Sequence, residues 1–292
     1  MRARPGTGGD DEPFTCTIPR MTDQYAVVGN PVAHSRSPQI HAEFARQTGH
    51  DIDYFRLLTP LDGFAAEVAA FRARGGKGVN VTLPFKEDAF RFATRHSERA
   101  QHAEAVNTLK FEGDATLGDN TDGAGLVRDL ESNLGIALAG KRVLLMGAGG
   151  AAAGVLLPML AGKPARLVIV NRTRDKARAL AQRYSQWENC AGAGYLDIAG
   201  EQFDILINAT SASVTGEVPP LPEDVFAPDA FAYDMMYGKE PTPFMKFALS
   251  RGAARVADGF GMLVEQAAEA FFVWRGVRPD TAPLIAKHGI ED

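Results

Sequence analysis

Arg142-Val-Leu-Leu-Met146-Gly147-Ala148-Gly149-Gly150-Ala151-Ala152 decides how the rest of this chain is read. The run 142–146 is short and almost wholly apolar, as expected of a strand covered on both faces in a parallel sheet. Glycines follow at once: Gly147 permits a sharp turn, Gly149 lets a pyrophosphate approach the backbone, and the small Ala152 allows a helix to pack closely. The alanine-rich run 151–160 then reads as a helix whose first N–H groups face an anion. A bare Gly-x-Gly-x-x-Ala also arises in ordinary Gly/Ala-rich turns; the flanking strand and helix are what favour a dinucleotide-binding unit here.

Downstream, the predicted strand 167–170 ends in Asn171-Arg172-Thr173. A site for NAD usually places an acidic residue near this point to hold the ribose 2′-hydroxyl. Arg172 instead suits a 2′-phosphate, with charge-assisted bonds worth roughly 1.5–3 kcal/mol each, so the expected cofactor is NADP. Thr173 adds a hydroxyl; Lys176 reads equally as a second cation or as a solvated helix residue. A further strand, 204–207, ends in Asn208-Ala209-Thr210-Ser211, where an open α/β sheet presents its ligands. By residue type these side chains fit a nicotinamide-side wall and a polar turn capped by Thr210 equally well.

The alternation of short apolar runs, Gly/Pro/Asn turns and helical periods extends through the whole chain. Further strands are expected at 25–28, 52–58, 78–82, 106–111, 231–234 and 255–257, and further helices at 38–48, 61–74, 123–134, 174–184, 243–250 and 262–274. The expectation is an α/β protein of two domains. An N-terminal α/β substrate domain spans 21–122, and a Rossmann-type doubly wound NADP-binding domain spans 123–258. The C-terminal helices, 259–292, return to the first domain. Residues 1–20, rich in Gly, Pro and charge, read as a disordered tail, with Met21 as the functional start.

Bulk properties narrow the function. With 31 Lys+Arg against 36 Asp+Glu the net charge is −5, and no basic block offers a phosphate-backbone footprint, so no nucleic acid partner is expected. No apolar run reaches the roughly 18 residues of a membrane span. Cys16 and Cys190 lie far apart and outside any Cys/His cluster, which indicates neither a disulfide framework nor a metal site. A soluble cytoplasmic enzyme, monomeric or homodimeric, is the resulting expectation.

Two segments of the first half carry further chemistry. Gly29-Asn30-Pro31-Val32-Ala33-His34-Ser35-Arg36-Ser37-Pro38 links a strand to a helix opening on proline, a turn able to present two hydroxyls and helix-start N–H groups to a carboxylate. The plainer alternative makes Ser37 an N-cap. Asn80-Val81-Thr82-Leu83-Pro84-Phe85-Lys86 puts an amide, a hydroxyl and an amine at another strand end, although most lysines are simply solvated.

Taken in order, these segments resemble the shikimate dehydrogenase family. The matching series adds AVNTL around Asn107, GDNTDG with Asp122, YDMMYGKEPTPF from Tyr233 and DGFGMLVEQAAEAF from Asp258, and it runs from Tyr25 to Phe271. The resemblance implies reversible NADPH-linked reduction of 3-dehydroshikimate to shikimate. It also implies Lys86 and Asp122 as the catalytic pair, Ser35 and Ser37 on the substrate carboxylate, and Asn80, Thr82, Asn107 and Gln266 on ring hydroxyls. Tyr237 matches a tyrosine of the substrate pocket. Gly147, Ala148, Gly149, Gly150, Ala151, Asn171, Arg172, Thr173, Lys176, Thr210, Ser211, Met235, Gly259 and Met262 fall on the cofactor side. The chain departs from the family pattern at Ala153, where many members carry an arginine near the cofactor phosphates, and in Ser211-Ala-Ser-Val214.

The chemistry asks for such a set independently. Removing hydride from a secondary alcohol leaves a proton that a positioned base must take, and the reverse step needs an acid. Lys86 fills that role better than His34, which has no orienting carboxylate, or His41, whose helical neighbours look structural. A quinate/shikimate dehydrogenase paralogue and a non-catalytic sensor on the same fold are the rival readings; Arg172 weighs against the NAD preference of the first, and the presence of both Lys86 and Asp122 against the second.

Overall fold

A computed structural model describes residues 22–210 and 212–287. Its first half builds β1 (Asp23–Gly29), α1 (Ser37–Thr48), β2 (Ile52–Leu58), α2 (Phe64–Ala73), β3 (Gly76–Val81), α3 (Lys86–Phe92), β4 (Arg95–His96), α4 (Glu98–Ala103), β5 (Thr108–Glu112) and β6 (Ala115–Asp119). These strands form one mixed sheet in the order β2-β1-β3-β5-β6-β4. β1 lies parallel to β2 and β3, whereas β3–β5 and β5–β6 pair antiparallel. The sequence pattern shows a single strand at 106–111, but Gly113, at φ 55°, turns the chain tightly into β6.

The second half begins with α5 (Asp122–Arg128), which runs into one turn of π-helix (Asp129–Asn133). Then come β7 (Arg142–Met146), α6 (Gly150–Ala161), β8 (Arg166–Val170), α7 (Arg174–Gln182), β9 (Cys190–Ala193), β10 (Phe203–Asn208), β11 (Phe226–Asp234), α8 (Pro243–Ser250), β12 (Arg255–Ala257), α9 (Phe260–Arg275) and α10 (Ala282–Ala286). The sheet order is β12-β11-β10-β7-β8-β9, and every pairing is parallel. Strand order reverses between β7 and β10, so the doubly wound sheet opens its ligand crevice at their carboxyl ends. β9, Cys-Ala-Gly-Ala, escapes a propensity reading because it has no β-branched or aromatic residue; it holds its place as an edge strand under the backbone of α7.

After β12 the chain crosses back. α9 packs Val264, Ala268 and Phe271 against Ile40 and Phe44 of α1, and the Trp274 indole N–H donates to the Leu109 carbonyl at 3.0 Å. Burying side chains such as Phe44, Val264 and Phe271 favours this return by roughly 1.5–3 kcal/mol each. A second apolar cluster joins the two halves: Ala103 and Ala105 pack with Leu126 and Leu130, with Ala152 and Leu156 of α6, and with Met262 of α9. Asp129 is buried at the same junction, accepting from Tyr233 Oη at 2.6 Å and Asn133 Nδ2 at 2.9 Å. Burial pushes its carboxyl pKa up, opposed by the Tyr233 bond. No helix among the described residues is long and apolar enough to cross a membrane.

α5 and α9 touch backbone to backbone. A Cβ on Gly125 would lie 2.7 Å from the Gln266 nitrogen and 2.9 Å from its Cα. Gly→Ala within a helix ordinarily gains up to about 1 kcal/mol. Gly125→Ala is expected to reverse that sign and lower unfolding free energy by about 1–3 kcal/mol in urea titrations, since overpacking moves two helices apart.

Candidate active site

Lys86 is the first residue of α3 and Asp122 the first of α5, so two helix starts from separate stretches of chain converge. Lys86 Nζ lies 2.5 Å from Asp122 Oδ2, with side chains only 16% and 8% exposed. The other carboxylate oxygen, Oδ1, accepts from Asn107 Nδ2 at 2.7 Å. A carboxylate at a helix start is favoured by the free N–H groups there, whereas an ammonium is not. Lys86 therefore depends on Asp122 for its local charge balance. The start of α3 is pinned as well, because Val106 N donates to the Lys86 carbonyl at 2.9 Å.

From this pair a hydrogen-bonded network spreads into the first sheet. Asn107 Nδ2 also reaches Thr121 Oγ1 at 2.9 Å and Gln266 Oε1 at 3.3 Å, and Asn107 Oδ1 accepts from Thr121 N at 2.9 Å and Thr108 Oγ1 at 2.9 Å. Asn80 Nδ2 donates to the Asn107 carbonyl at 3.3 Å and to Thr108 Oγ1 at 3.1 Å, while Asn80 Oδ1 accepts from Tyr54 Oη at 2.7 Å. Thr82, half-buried just past the end of β3, has its methyl where a Gly29 Cβ would fall. At the far end of this surface Ser35 Oγ donates to Ser37 Oγ at 3.1 Å and accepts from Ser37 N at 3.3 Å. Ser37 is thus the first helical residue and caps nothing; α1 starts with no side-chain cap and no acid in its first turn. That is a favourable place for an anion.

Tyr237, from the segment after β11, reaches across to the α1/α9 cluster and meets Phe260 edge-on at 6.1 Å. The Arg36 guanidinium lies over the same Phe260 ring at 4.9 Å. Burial raises the Tyr237 pKa, and the nearby Arg36 charge partly offsets it. Of the two histidines, His34 is exposed in the turn. His41 is 0% exposed, and its buried nitrogens lack partners. Burial holds its pKa down to about 3, so it stays neutral and is unsuited to shuttle protons near pH 7.

The glycine loop faces this network from the second sheet. Gly147, at φ 111°, makes the turn after β7 and donates its N–H to Val170 at 2.8 Å. α6 begins without a side-chain cap, and space in front of Gly149 is open to at least 4 Å from a Cβ placed there. Ala148 and Ala151 are half-buried beside it. A Cβ on Gly150 would sit 3.8 Å from that of Lys86 and from that of Ala105, so the loop abuts the Lys86 helix. At the tip of β8, Arg172, Thr173 and Lys176 are exposed, and Asn171 Nδ2 braces the turn through the Thr173 carbonyl at 3.0 Å. Free backbone donors at the loop and exposed cations one strand away fit a phosphorylated dinucleotide.

Beyond β10, Thr210 Oγ1 donates to Asn208 Oδ1 at 2.7 Å and accepts from Ala212 N at 3.3 Å. Thr210 therefore both braces the turn and caps the short helical turn 212–215, as the local pattern allowed. Ser211 lies outside the described residues. Met235 and Gly259 are in backbone contact, since a Cβ on Gly259 would fall against the Met235 carbonyl, and Met262 is buried one turn further on.

Three family models match in chain order: the shikimate dehydrogenase substrate binding domain over residues 27–109, shikimate / quinate 5-dehydrogenase over 129–215, and the shikimate 5′-dehydrogenase C-terminal domain over 259–286. A shikimate dehydrogenase (NADP(+)) from Dechloromonas aromatica is 60% identical over 267 residues, covering 91% of this chain and 97% of that protein. The chain belongs to the shikimate dehydrogenase family. Among solved structures of similar fold, an Ael1 enzyme from Pseudomonas putida superposes with a TM-score of 0.86 at 51% identity, covering 91% of this chain and 98% of that one. Shikimate 5-dehydrogenase from Thermus thermophilus, solved in complex with NADP(H) and shikimate, gives 0.79 at 32% identity, covering 89% and 96%.

Several residues that shape this family member's site carry no local signal. Thr108 and Thr121 complete the Asn107 cage, and Tyr54 reaches it from an edge strand. Asp234, fully buried, accepts from Asn208 Nδ2 at 3.1 Å, Ser213 Oγ at 2.6 Å and Thr242 Oγ1 at 2.6 Å, tying together the loops after β10 and β11. Burial raises the Asp234 pKa against those bonds. The motif Asn208-Ala-Thr was visible in sequence, but its buried acidic partner 26 residues on was not. Ala153 packs in the apolar cluster at 6% exposure.

Proposed function

We propose that this chain catalyses the reversible NADPH-dependent reduction of 3-dehydroshikimate to shikimate, with Lys86 and Asp122 as the acid–base pair. One observation carries the reading: the buried Lys86–Asp122 contact of 2.5 Å, with the glycine loop beside the same lysine, where a Cβ on Gly150 would lie 3.8 Å from that of Lys86. The substrate and cofactor follow from membership of the family and from a relative solved with NADP(H) and shikimate together.

In this reading bound NADPH supplies the hydride to the carbonyl carbon. Lys86 as an ammonium gives a proton to the carbonyl oxygen, producing the hydroxyl; in the oxidative direction the neutral amine takes that proton back. Asp122 stabilises the ammonium and orients it. Ser35 and Ser37, at the uncapped start of α1, donate to the substrate carboxylate, with Tyr237 closing over that end. Asn80, Thr82, Asn107 and Gln266 hold ring hydroxyls. Gly147, Ala148, Gly149, Gly150 and Ala151 seat the pyrophosphate, and Asn171, Arg172, Thr173 and Lys176 the 2′-phosphate. Thr210, Ser211, Met235, Gly259 and Met262 form the nicotinamide side. The matching division of labour puts substrate on 21–122 completed by 259–292, and NADP on 123–258.

Lys86→Ala is expected to lower kcat by about 10²–10⁴-fold with a smaller change in KM for 3-dehydroshikimate, measured by NADPH oxidation; near-normal turnover removes Lys86 from the mechanism. Arg172→Ala is expected to raise KM for NADPH by about ten- to a hundredfold while leaving kcat/KM with NADH nearly unchanged, since only the former carries the 2′-phosphate. Equal losses with both cofactors would contradict that assignment.

A further inference from the structure

β2 is the edge of the first sheet and carries no motif, yet two of its residues reach both ends of the proposed substrate seat. Tyr54 and Arg56 are alternate residues of the strand and share one face. Tyr54 Oη donates to Asn80 Oδ1 at 2.7 Å. Both hydrogens of the Asn80 amide are already committed, to the Asn107 carbonyl and to Thr108 Oγ1. What remains on Asn80 is one oxygen lone pair, which recognises a hydroxyl proton and rejects an acceptor.

The Tyr54 ring is held from behind. The His41 imidazole stacks on it at 4.3 Å between centroids and 6° between planes, and Trp274 lies on the same aromatic cluster at 6.3 Å. Burial raises the Tyr54 pKa, so the phenol remains a donor through neutral pH.

Arg56 acts at the other end. Its Nε and Nη2 both donate to the Ser35 carbonyl, at 3.0 and 2.5 Å, and Nη2 also reaches Gln39 Oε1 at 3.2 Å. Two bonds from one planar guanidinium fix the Ser35 peptide in direction as well as position. Ser35 in turn holds Ser37 through both its hydroxyl contacts. Arg56 also brings a full positive charge to the turn, beside that of Arg36.

We propose that Tyr54 and Arg56 are positioning residues for the substrate: Tyr54 presets Asn80 to accept from a ring hydroxyl, and Arg56 holds the Ser35–Ser37 turn for the carboxylate. This rests on the substrate class given above. Neither residue is a catalytic residue, so their signature is in substrate affinity rather than in the chemical step.

The test uses the full chain with 3-dehydroshikimate and NADPH, the unsubstituted protein serving as control. Tyr54→Phe keeps the ring stack and removes the donor; Arg56→Gln removes charge and fork, and Arg56→Lys restores only charge. Tyr54→Phe and Arg56→Gln are each expected to raise KM for 3-dehydroshikimate by about three- to tenfold, with kcat and KM for NADPH held within about twofold. Arg56→Lys is expected to fall between Arg56→Gln and the parent, and the double variant to raise KM beyond either single variant. A lowered thermal midpoint with unchanged KM in both single variants assigns them a merely structural role and overturns the proposal. If the unsubstituted protein fails to turn over 3-dehydroshikimate, the proposed function falls separately; calorimetric titration with shikimate then decides, a weakened Kd in the same two variants supporting the inference and an unchanged one, or no binding by the parent, ending it.

Discussion

A carboxylate carried into the junction between two sheets is the constraint around which this molecule is organised. Asp122 sits on the first turn of α5 with little access to water, and a buried charge left unpaired costs about 3–5 kcal/mol. Lys86 on one oxygen and Asn107 on the other remove that cost, but only if α3, β5 and α5 all arrive within hydrogen-bonding distance. The requirement passes outward to their supports. Val106 ties α3 to the strand that follows it, and Thr121 ties the start of α5 to the Asn107 amide.

The position of α5 depends on small residues. Gly125 brings α5 against the backbone of α9, and Gly123 brings it against Gly154 and Pro158 of α6. These approaches let one short helix pack simultaneously on α6 of the second sheet and on α9, which returns to the first. Asp129 extends the junction: its bond from Tyr233 on β11 couples the end of α5 to the second sheet. Alignment of Lys86 with the glycine loop is thus set by helix packing in the core that lies behind it.

Much of this was legible because ligand-binding side chains of α/β proteins cluster at strand ends, where turn residues and glycines mark them in sequence. The strand before Gly147, the Arg172 tip and Asn80 at the end of β3 fall where their local patterns put them. What escaped has a common cause. β9 is stabilised by its neighbours and not by propensity, β6 begins only two residues after β5 ends, and α3 starts at Lys86 itself, so the amine projects from a helix start and not from the strand end its spacing suggests. Tyr54, Thr121 and Asp234 act through partners tens of residues away or across a sheet, and a local pattern holds no record of such pairings.

The accounting of donors and acceptors explains why so polar an interior can still be selective. Asn107 is fixed by Thr121, Asp122 and Gln266 at the place where it is proposed to meet a ring hydroxyl, Asn80 keeps a single lone pair, and Thr108 and Thr121 face inward. Groups held this firmly cannot turn to suit an alternative ligand, so what they leave open sets the chemistry: two serine hydroxyls at an uncapped helix start, an acceptor on Asn80 beside the other hydroxyl-binding side chains, and the N–H groups of Lys86 not engaged by Asp122. That remainder calls for an anion at the serines, a hydroxyl at Asn80, and an oxygen acceptor beside the lysine. A cyclic hydroxy acid bearing a carbonyl satisfies all three in one rigid frame, and rigidity matters because a flexible acid would lose about 0.5–1.5 kcal/mol for each torsion frozen on binding.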